Sequence, residues 1–423
     1  MGSQIKKVVV STMIGNGLEW YDYALYGMFA SIIGRNFFPA DSETASTMAT
    51  FGVFAVGFVM RPLGGMFFGY IGDRYGRRNA LAFSILMMSI PTACIGLLPT
   101  YDSIGIWAPI ALTLIRLVQG LAVGGEFGGS MVYLVECAGG RRRTLLGSMA
   151  VVSLAVGLLV GAGVAGLVGA LMTPEDYASY GWRIPFVAGL FIGLVGLYIR
   201  KELGESPAYE EAKRAGNISE RPVRDALAYN MREILLGVGA YMAVTIPFYL
   251  QTVYMHGFSV KYMHFTENQA MFTHFGVLVA LMVLMPLSGW LADKFGRVRV
   301  MAAAALAYMV YAFPFVYLLE QDSVAVAIAA QIFFGAIMAF YLAPIPAFLV
   351  DLFPANTRFT GMALSANVAA AAFGGTAPMI LTKLMGDGQD FRHIAWYILV
   401  AAGISLVCAL KSEKISPVPV AAI

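Results

Sequence analysis

The amino-acid sequence predicts an all-α integral membrane protein of twelve transmembrane helices in two pseudo-symmetric six-helix bundles. The first observation behind this is composition: 59% of the residues are hydrophobic and only 13% charged, where a soluble chain carries about 25% charge. The second is that the apolar residues fall in blocks of about 20, the length that crosses a ~30 Å hydrocarbon layer as helix. The third is that the loops joining these blocks repeat between the two halves of the chain. An unpaired backbone amide in lipid costs several kcal/mol, so only helices or a closed barrel can span a bilayer. Unbroken apolar blocks, rather than alternating strands, select helices.

Charged and Pro/Gly-rich breaks place the first six spans near 8–33, 48–71, 79–99, 106–134, 145–171 and 183–200. The second six lie near 232–256, 268–292, 299–319, 323–352, 360–384 and 391–410, with Pro247, Pro314, Pro344 and Pro346 interrupting their blocks. Lys6-Lys7 followed by Val8-Val9-Val10 resembles the opening of a signal peptide, but Glu19, Trp20 and Asp22 interrupt the stretch before a cleavage site, so it counts as the first span. The longest polar stretch, 201–231, contains Pro207, Gly216 and Pro222 and reads as a linker. The expected division is therefore an N-terminal bundle (1–200), a cytoplasmic linker (201–231), a C-terminal bundle (232–410) and a short cytoplasmic tail (411–423).

Orientation follows from the basic residues, which accumulate on the cytoplasmic side of alternate loops. One side carries Lys6, Lys7, Arg74, Arg77, Arg78, Arg141, Arg142, Arg143, Lys294, Arg297, Arg299, Arg358, Lys411 and Lys414, together with the linker's lysines and arginines, Arg200 counted among them. The other side holds only Arg35, Arg183, Lys261, Lys383 and Arg392. A multi-pass protein of the inner (plasma) membrane with both termini cytoplasmic is expected, acting as a monomer in the lipid bilayer. The net charge of +3 suggests no nucleic-acid partner. Cys94, Cys137 and Cys408 are widely spaced, so no disulfide framework, metal site or cofactor is expected.

The loop after the second span, Gly69-Tyr70-Ile71-Gly72-Asp73-Arg74-Tyr75-Gly76-Arg77, matches Gly289-Trp290-Leu291-Ala292-Asp293-Lys294-Phe295-Gly296-Arg297 after the eighth. Glu136 precedes Arg143 by the same interval as Asp351 precedes Arg358. One such loop could be merely a tight turn with inside-positive charge. Two at matching places point to a cytoplasmic latch formed by Gly69, Asp73, Gly76, Arg77, Glu136, Arg143, Asp293, Gly296, Arg297, Asp351 and Arg358, whose charges pair with neighbouring helix ends. Two similar halves in parallel order imply a binding site between them near mid-membrane, with access alternating as the halves rock.

Further stretches carry a resemblance. They are Gly15-Asn16-Gly17-Leu18-Glu19-Trp20-Tyr21-Asp22-Tyr23, Phe58-Val59-Met60-Arg61-Pro62-Leu63-Gly64-Gly65, Arg116-Leu117-Val118-Gln119-Gly120 running on to Gly124-Gly125-Glu126-Phe127-Gly128, Gly181-Trp182-Arg183-Ile184-Pro185-Phe186, and Glu205-Ser206-Pro207. With the paired loops, they make nearly the whole chain resemble the major facilitator superfamily, and within it the metabolite:proton symporter family of proline/betaine, α-ketoglutarate, shikimate and citrate carriers. The resemblance implies proton-driven uptake through a cavity lined mainly by spans 1, 4, 7 and 10, with contributions from 2, 5, 8 and 11. Osmoregulatory members typically carry a long C-terminal coiled coil. Here only Lys411 to Ile423 follows the last span, so osmosensing is not expected.

Ionisable groups inside a bilayer cost ~2.5–3.5 kcal/mol on insertion scales and are functional candidates by default. Glu19 and Asp22 lie three residues apart on one face of the first helix. Two close carboxylates in a partly dry cavity resist joint ionisation, so one is suited to take up and release a proton, unless one or both simply pair with Arg61 or Arg116 to hold helices together. These two arginines suit a substrate carboxylate, with internal pairing of Arg116 to Glu19, Asp22 or Glu126 as the alternative. Glu126, among glycines that also mark close helix packing, is a second proton-relay candidate. Tyr23, Tyr26, Gln119, Tyr249, Tyr341 and Asn367 complete the candidate substrate-binding set. Aromatic faces there can hold an ammonium by cation–π attraction. The expected function is proton-coupled uptake of a small polar metabolite bearing a carboxylate, either a zwitterion such as an amino acid or betaine or an organic acid. An exporter or exchanger on the same fold is the alternative. A sensor or enzyme is disfavoured by the short tails and by the absence of a base–nucleophile constellation around His256, His264, His274 and His393.

Overall fold

The computed structural model describes residues 2–40, 43–321, 323–385 and 390–412. Lys414, most of the expected tail and the side chain of Arg141 lie outside the described residues. Six long helices precede the linker: α1 (Gly2–Met28, continued by Ala30–Phe37), α2 (Glu43–Tyr75), α3 (Arg77–Leu97), α4 (Trp107–Ala138), α5 (Arg143–Leu171) and α6 (Arg183–Lys201). Six follow it. They are α7 (Met231–Tyr249, continued to Tyr262), α8 (Glu267–Phe295), α9 (Arg297–Leu319), α10 (Val324–Leu342, then Ile345–Leu352), α11 (Arg358–Ala369, then Ala377–Met385) and α12 (Arg392–Ser412). Eleven of these spans are long and apolar enough to cross a membrane. The twelfth, α1, is diluted by Asn16, Glu19 and Asp22, all fully buried against its neighbours.

Several helices outrun their apolar blocks, because α2, α4 and α8 continue until Asp73, Glu136 and Asp293 stand at their ends. Pro247 and Pro314 sit within continuous helix. Pro344 and Pro346, by contrast, part α10 into two segments. Two wide π-type turns interrupt α7 at Leu250–Tyr254 and α11 at Ala370–Gly374. In the second, Gly375 N–H reaches back five residues to Ala370 O at 3.0 Å. Such turns place extra backbone at functional positions.

Without a hydrophobic force between helices in lipid, small residues let backbones approach. At Gly57/Gly120 and Gly64/Gly124, α2 and α4 meet so closely that a Cβ would strike the facing backbone. The outward faces carry exposed Val59, Phe67, Val118, Phe191, Val283 and Val310, as a lipid-facing surface requires.

Candidate functional site

At the linker end the two halves are bolted together by helix caps and ion pairs. The first N–H groups of a helix lack intrahelical acceptors and carry the positive end of its dipole. Asp73, at the end of α2, accepts hydrogen bonds from the Phe359 and Thr360 N–H groups of α11 at 3.1 and 2.9 Å. Asp293, at the end of α8, does the same for Thr144 and Leu145 of α5 at 2.8 and 2.9 Å. Both caps cross between the halves. Glu136 receives Arg77 Nε at 3.2 Å, Arg358 Nη1 at 2.8 Å and the Ser206 hydroxyl at 2.5 Å. Asp351 pairs with Arg143 at 2.9 Å and with Arg297.

Glycine makes these approaches possible. Gly76 and Gly296 adopt φ of 105° and 95°, turning the chain between helices in a conformation L residues resist. A Cβ on Gly69 would lie 2.7 Å from Thr360 Cα, and one on Gly289 would lie 2.9 Å from Leu145 Cα. The linker adds Glu205, which accepts from the Arg77 and Arg78 N–H groups at 3.0 and 3.2 Å and so caps α3. Burial pushes the Glu205 carboxyl above its ordinary range, although these N–H groups favour its charge.

Deeper in, the N-terminal half holds a closed polar cluster. Asp22 accepts from Arg116 Nη1 at 2.6 Å, Gln119 Nε2 at 2.9 Å and the Thr92 hydroxyl at 3.0 Å. The Arg116 guanidinium lies 3.6 Å above the Tyr26 ring, and the Tyr26 hydroxyl donates to Thr50 O at 3.1 Å. Glu19, nearly one turn earlier, differs. It is fully buried, and neither carboxylate oxygen has a hydrogen-bond partner among the described residues.

Arg61 lies between the halves. Its Nε donates to Asn367 Oδ1 at 3.2 Å and its Nη1 to the Tyr249 hydroxyl at 3.3 Å, so one α2 side chain touches both α11 and α7. Arg61 lines a central cavity walled by Trp20, Phe127, Tyr241, Phe248 and Tyr249, with Thr245, Val151, Leu154, Leu342, Ile345 and Ala370 filling the remainder. The space open to the centre of a water is about 30 Å³, enough for a water or two and too little for a metabolite. Helices α1, α2, α4, α5, α7, α10 and α11 contribute. No α8 residue lines it among the described residues.

The candidate residues therefore separate. Arg61 and Tyr249 line the cavity, with Asn367 directly behind Arg61. Tyr23 stacks on Phe58 at 6.1 Å and meets Trp20 edge-on at 5.2 Å, one layer out. Arg116, Gln119 and Tyr26 are engaged with Asp22 or one another. Tyr341 is fully buried and gives its hydroxyl to Ala240 O at 2.9 Å, away from the cavity wall. Glu126 is closed by Arg200 Nη1 at 3.0 Å and by Ser84. Arg200 is a correction to the loop reading: it is 2% exposed in the last turn of α6. A basic residue at the end of an apolar block looks the same in sequence whether it faces water or folds back. Trp20, Phe127 and Phe248 line the cavity without a signal in the sequence, because an aromatic residue in an apolar block carries no mark of the face it occupies.

Two matched helical bundles, bolted at one end and enclosing a cavity into which Arg61 projects from between them, define a secondary membrane transporter rather than an enzyme. Comparison with known proteins makes the class specific. The model of sugar (and other) transporters matches residues 8–225, and that of the major facilitator superfamily matches residues 234–420. The chain is 31% identical to the proline/betaine transporter of Salmonella typhimurium, covering 97% of this chain and 84% of that one. It is also 31% identical to the glycine betaine/proline/ectoine/pipecolic acid transporter of Dickeya dadantii (98% and 85% covered) and 33% identical to a putative proline/betaine transporter of Staphylococcus aureus (95% and 87%). The solved proton:xylose symporter XylE, bound to 6-bromo-6-deoxy-D-glucose, superposes with a TM-score of 0.77 at 18% identity, with 98% and 96% of the two chains covered. The chain belongs to the major facilitator superfamily.

Proposed function

We propose that the protein takes up a small zwitterion of the proline or betaine kind together with protons by alternating access. The observation that carries this is the placement of Arg61 in an aromatic cavity between the halves. Arg61 presents a planar donor fork suited to a carboxylate, and the Trp20, Tyr241, Phe248 and Tyr249 rings offer π faces to a cationic nitrogen. The proline and betaine transporters it is similar to agree with a substrate carrying both groups. Glu19 is the coupling carboxylate in this reading. An ionised carboxylate buried without a partner is costly, and a bound proton relieves that cost. Asp22, held by Arg116, Gln119 and Thr92, fixes the geometry around it, and Glu126 with Arg200 joins α4 to α6.

The proposal extends to placement. The chain sits as a monomer in the inner membrane, with the linker side and both termini cytoplasmic, as the lysine and arginine bias supports. Its units are the bundles 1–200 and 232–410 around the linker 201–231, followed by the tail 411–423. The latch residues then close the cytoplasmic side. Uptake of labelled glycine betaine and L-proline into proteoliposomes tests this. An inward proton gradient is expected to drive accumulation, and Arg61→Lys is expected to raise KM by about ten- to a hundredfold, the worth of a charged hydrogen bond. Uptake indifferent to the gradient, or an unchanged KM, rejects the reading.

A further inference from the structure

The seam between α2 and α11 carries polar contacts at both of its ends. At the linker end Asp73 caps α11 through the Phe359 and Thr360 N–H groups. Twelve residues earlier on α2, Arg61 donates to Asn367 Oδ1, and Asn367 Nδ2 donates onward to Gly124 O of α4 and Ala363 O of its own helix, both at 2.8 Å. Between these points the helices touch through Gly65 and Gly69, where a Cβ would meet Ala363 and Thr360 at 3.3 and 2.7 Å. The counterpart seam, α8 on α5, has the matching aspartate cap and the matching glycine at Gly289. On α8, however, the position that corresponds to Arg61 is Leu281, fully buried in the C-terminal core. Only one of the two seams therefore has a bolt that reaches the cavity.

We propose that Asn367 is a positioning residue that makes the α2–α11 seam responsive to substrate. It holds Arg61 against the seam when the site is empty, and it loses that bond when a substrate carboxylate takes the guanidinium. This rests on the reading of Arg61 as the carboxylate ligand. A ligand shifts a conformational equilibrium only through different interactions with its two states. Here the difference is the acceptor on Arg61: Asn367 in the closed seam, carboxylate in the loaded one. Asn367, nine residues after Arg358 on the same rigid helix, passes the change to the linker-end cap. The α5–α8 seam opens as a follower.

The test uses a Thr360→Cys reporter, with Cys94, Cys137 and Cys408 replaced by serine, in purified full-length protein. Its rate of maleimide labelling reports opening of the seam. Glycine betaine is expected to raise the rate about tenfold in the reporter background, the equivalent of one hydrogen bond. Asn367→Ala removes the acceptor, so its ligand-free rate is expected to be high already and to change less than about twofold on adding ligand. Asn367→Asp exchanges the neutral acceptor for a charged one and is expected to label slowly with or without ligand. General loosening of the fold moves both variants the same way, and that outcome overturns the proposal, as does a ligand-free Asn367→Ala rate equal to that of the reporter background. Titration calorimetry with glycine betaine and L-proline separates the two layers. If neither binds, the reading of the site fails, and the two ligand-free variant rates still decide the role of Asn367.

Discussion

Glu19 and Asp22 show how little residue type says about role. They share a helix face and a charge, yet Asp22 has three hydrogen-bond partners and Glu19 has none among the described residues. Their neutralised variants should separate accordingly. Glu19→Gln should abolish gradient-driven accumulation in proteoliposomes while leaving substrate counterflow, which needs no net proton movement, within a fewfold of the parent. Asp22→Asn leaves Arg116 buried without its counter-charge, a defect worth about 3–5 kcal/mol, so it should lower thermal stability in detergent before any transport effect is read. Equal melting temperatures for Asp22→Asn and the parent, or intact accumulation in Glu19→Gln, contradict this division. Arg61 makes a complementary point. A mid-span arginine was visible as a candidate in the sequence, whereas its bonds to Asn367 and Tyr249, in helices more than 180 residues away, were not.

At the scale of elements, the contacts between the halves fall on a loop that is written twice. The Gly-x-x-x-Asp-(Arg/Lys)-x-Gly-Arg stretch repeats in the sequence, and in the structure the aspartate of each copy caps a helix of the opposite half. What the loops could not reveal is which helix each aspartate caps, since α11 and α5 are distant in sequence. The glycines permit the contact and should be intolerant of bulk. Gly69→Val inserts a side chain where even a Cβ lies 2.7 Å from Thr360 Cα, so the linker end should no longer close. Spin-label distances between Arg224 and Arg299, each replaced by cysteine in a background lacking the native cysteines, should then shift to longer values in the absence of ligand. An unchanged distance distribution contradicts the close-packed seam. The π-type turns in α7 and α11 had no mark in the sequence, because their wide hydrogen bonds depend on what packs against the helix.

For the molecule as a whole, the small cavity and the inter-half caps together describe a form closed at the linker end, with Arg61 held by Asn367 and Tyr249. A zwitterion that enters must push the aromatic walls apart, so binding is coupled to conformational change. Ligand that binds the folded state raises its melting temperature by mass action. In a screen of osmolytes, amino acids and dicarboxylic acids, glycine betaine or proline should shift the transition upward, by about 2.7 kcal/mol of added stability at a hundredfold excess over Kd. Dicarboxylic acids should not, because among the described residues that line the cavity Arg61 alone is cationic and the second carboxylate would be buried without a counter-charge. A shift produced by dicarboxylates alone contradicts the zwitterion assignment.

The sequence by itself determined the solvent, the helix count, the internal repeat and the short list of charged residues inside the spans. Each of these depends on local composition and spacing, and lipid leaves few alternatives to an unbroken apolar helix. Only the tertiary structure decided which charges are spent on one another and which face the cavity. It closed Arg116 on Asp22 and Arg200 on Glu126, left Glu19 without a hydrogen-bond partner among the described residues and gave Arg61 to the interface. Those outcomes depend on the rotation of each helix about its axis and on which helices become neighbours. Both are set by close packing between segments far apart in the chain, and neither leaves a trace in the order of residues along one helix.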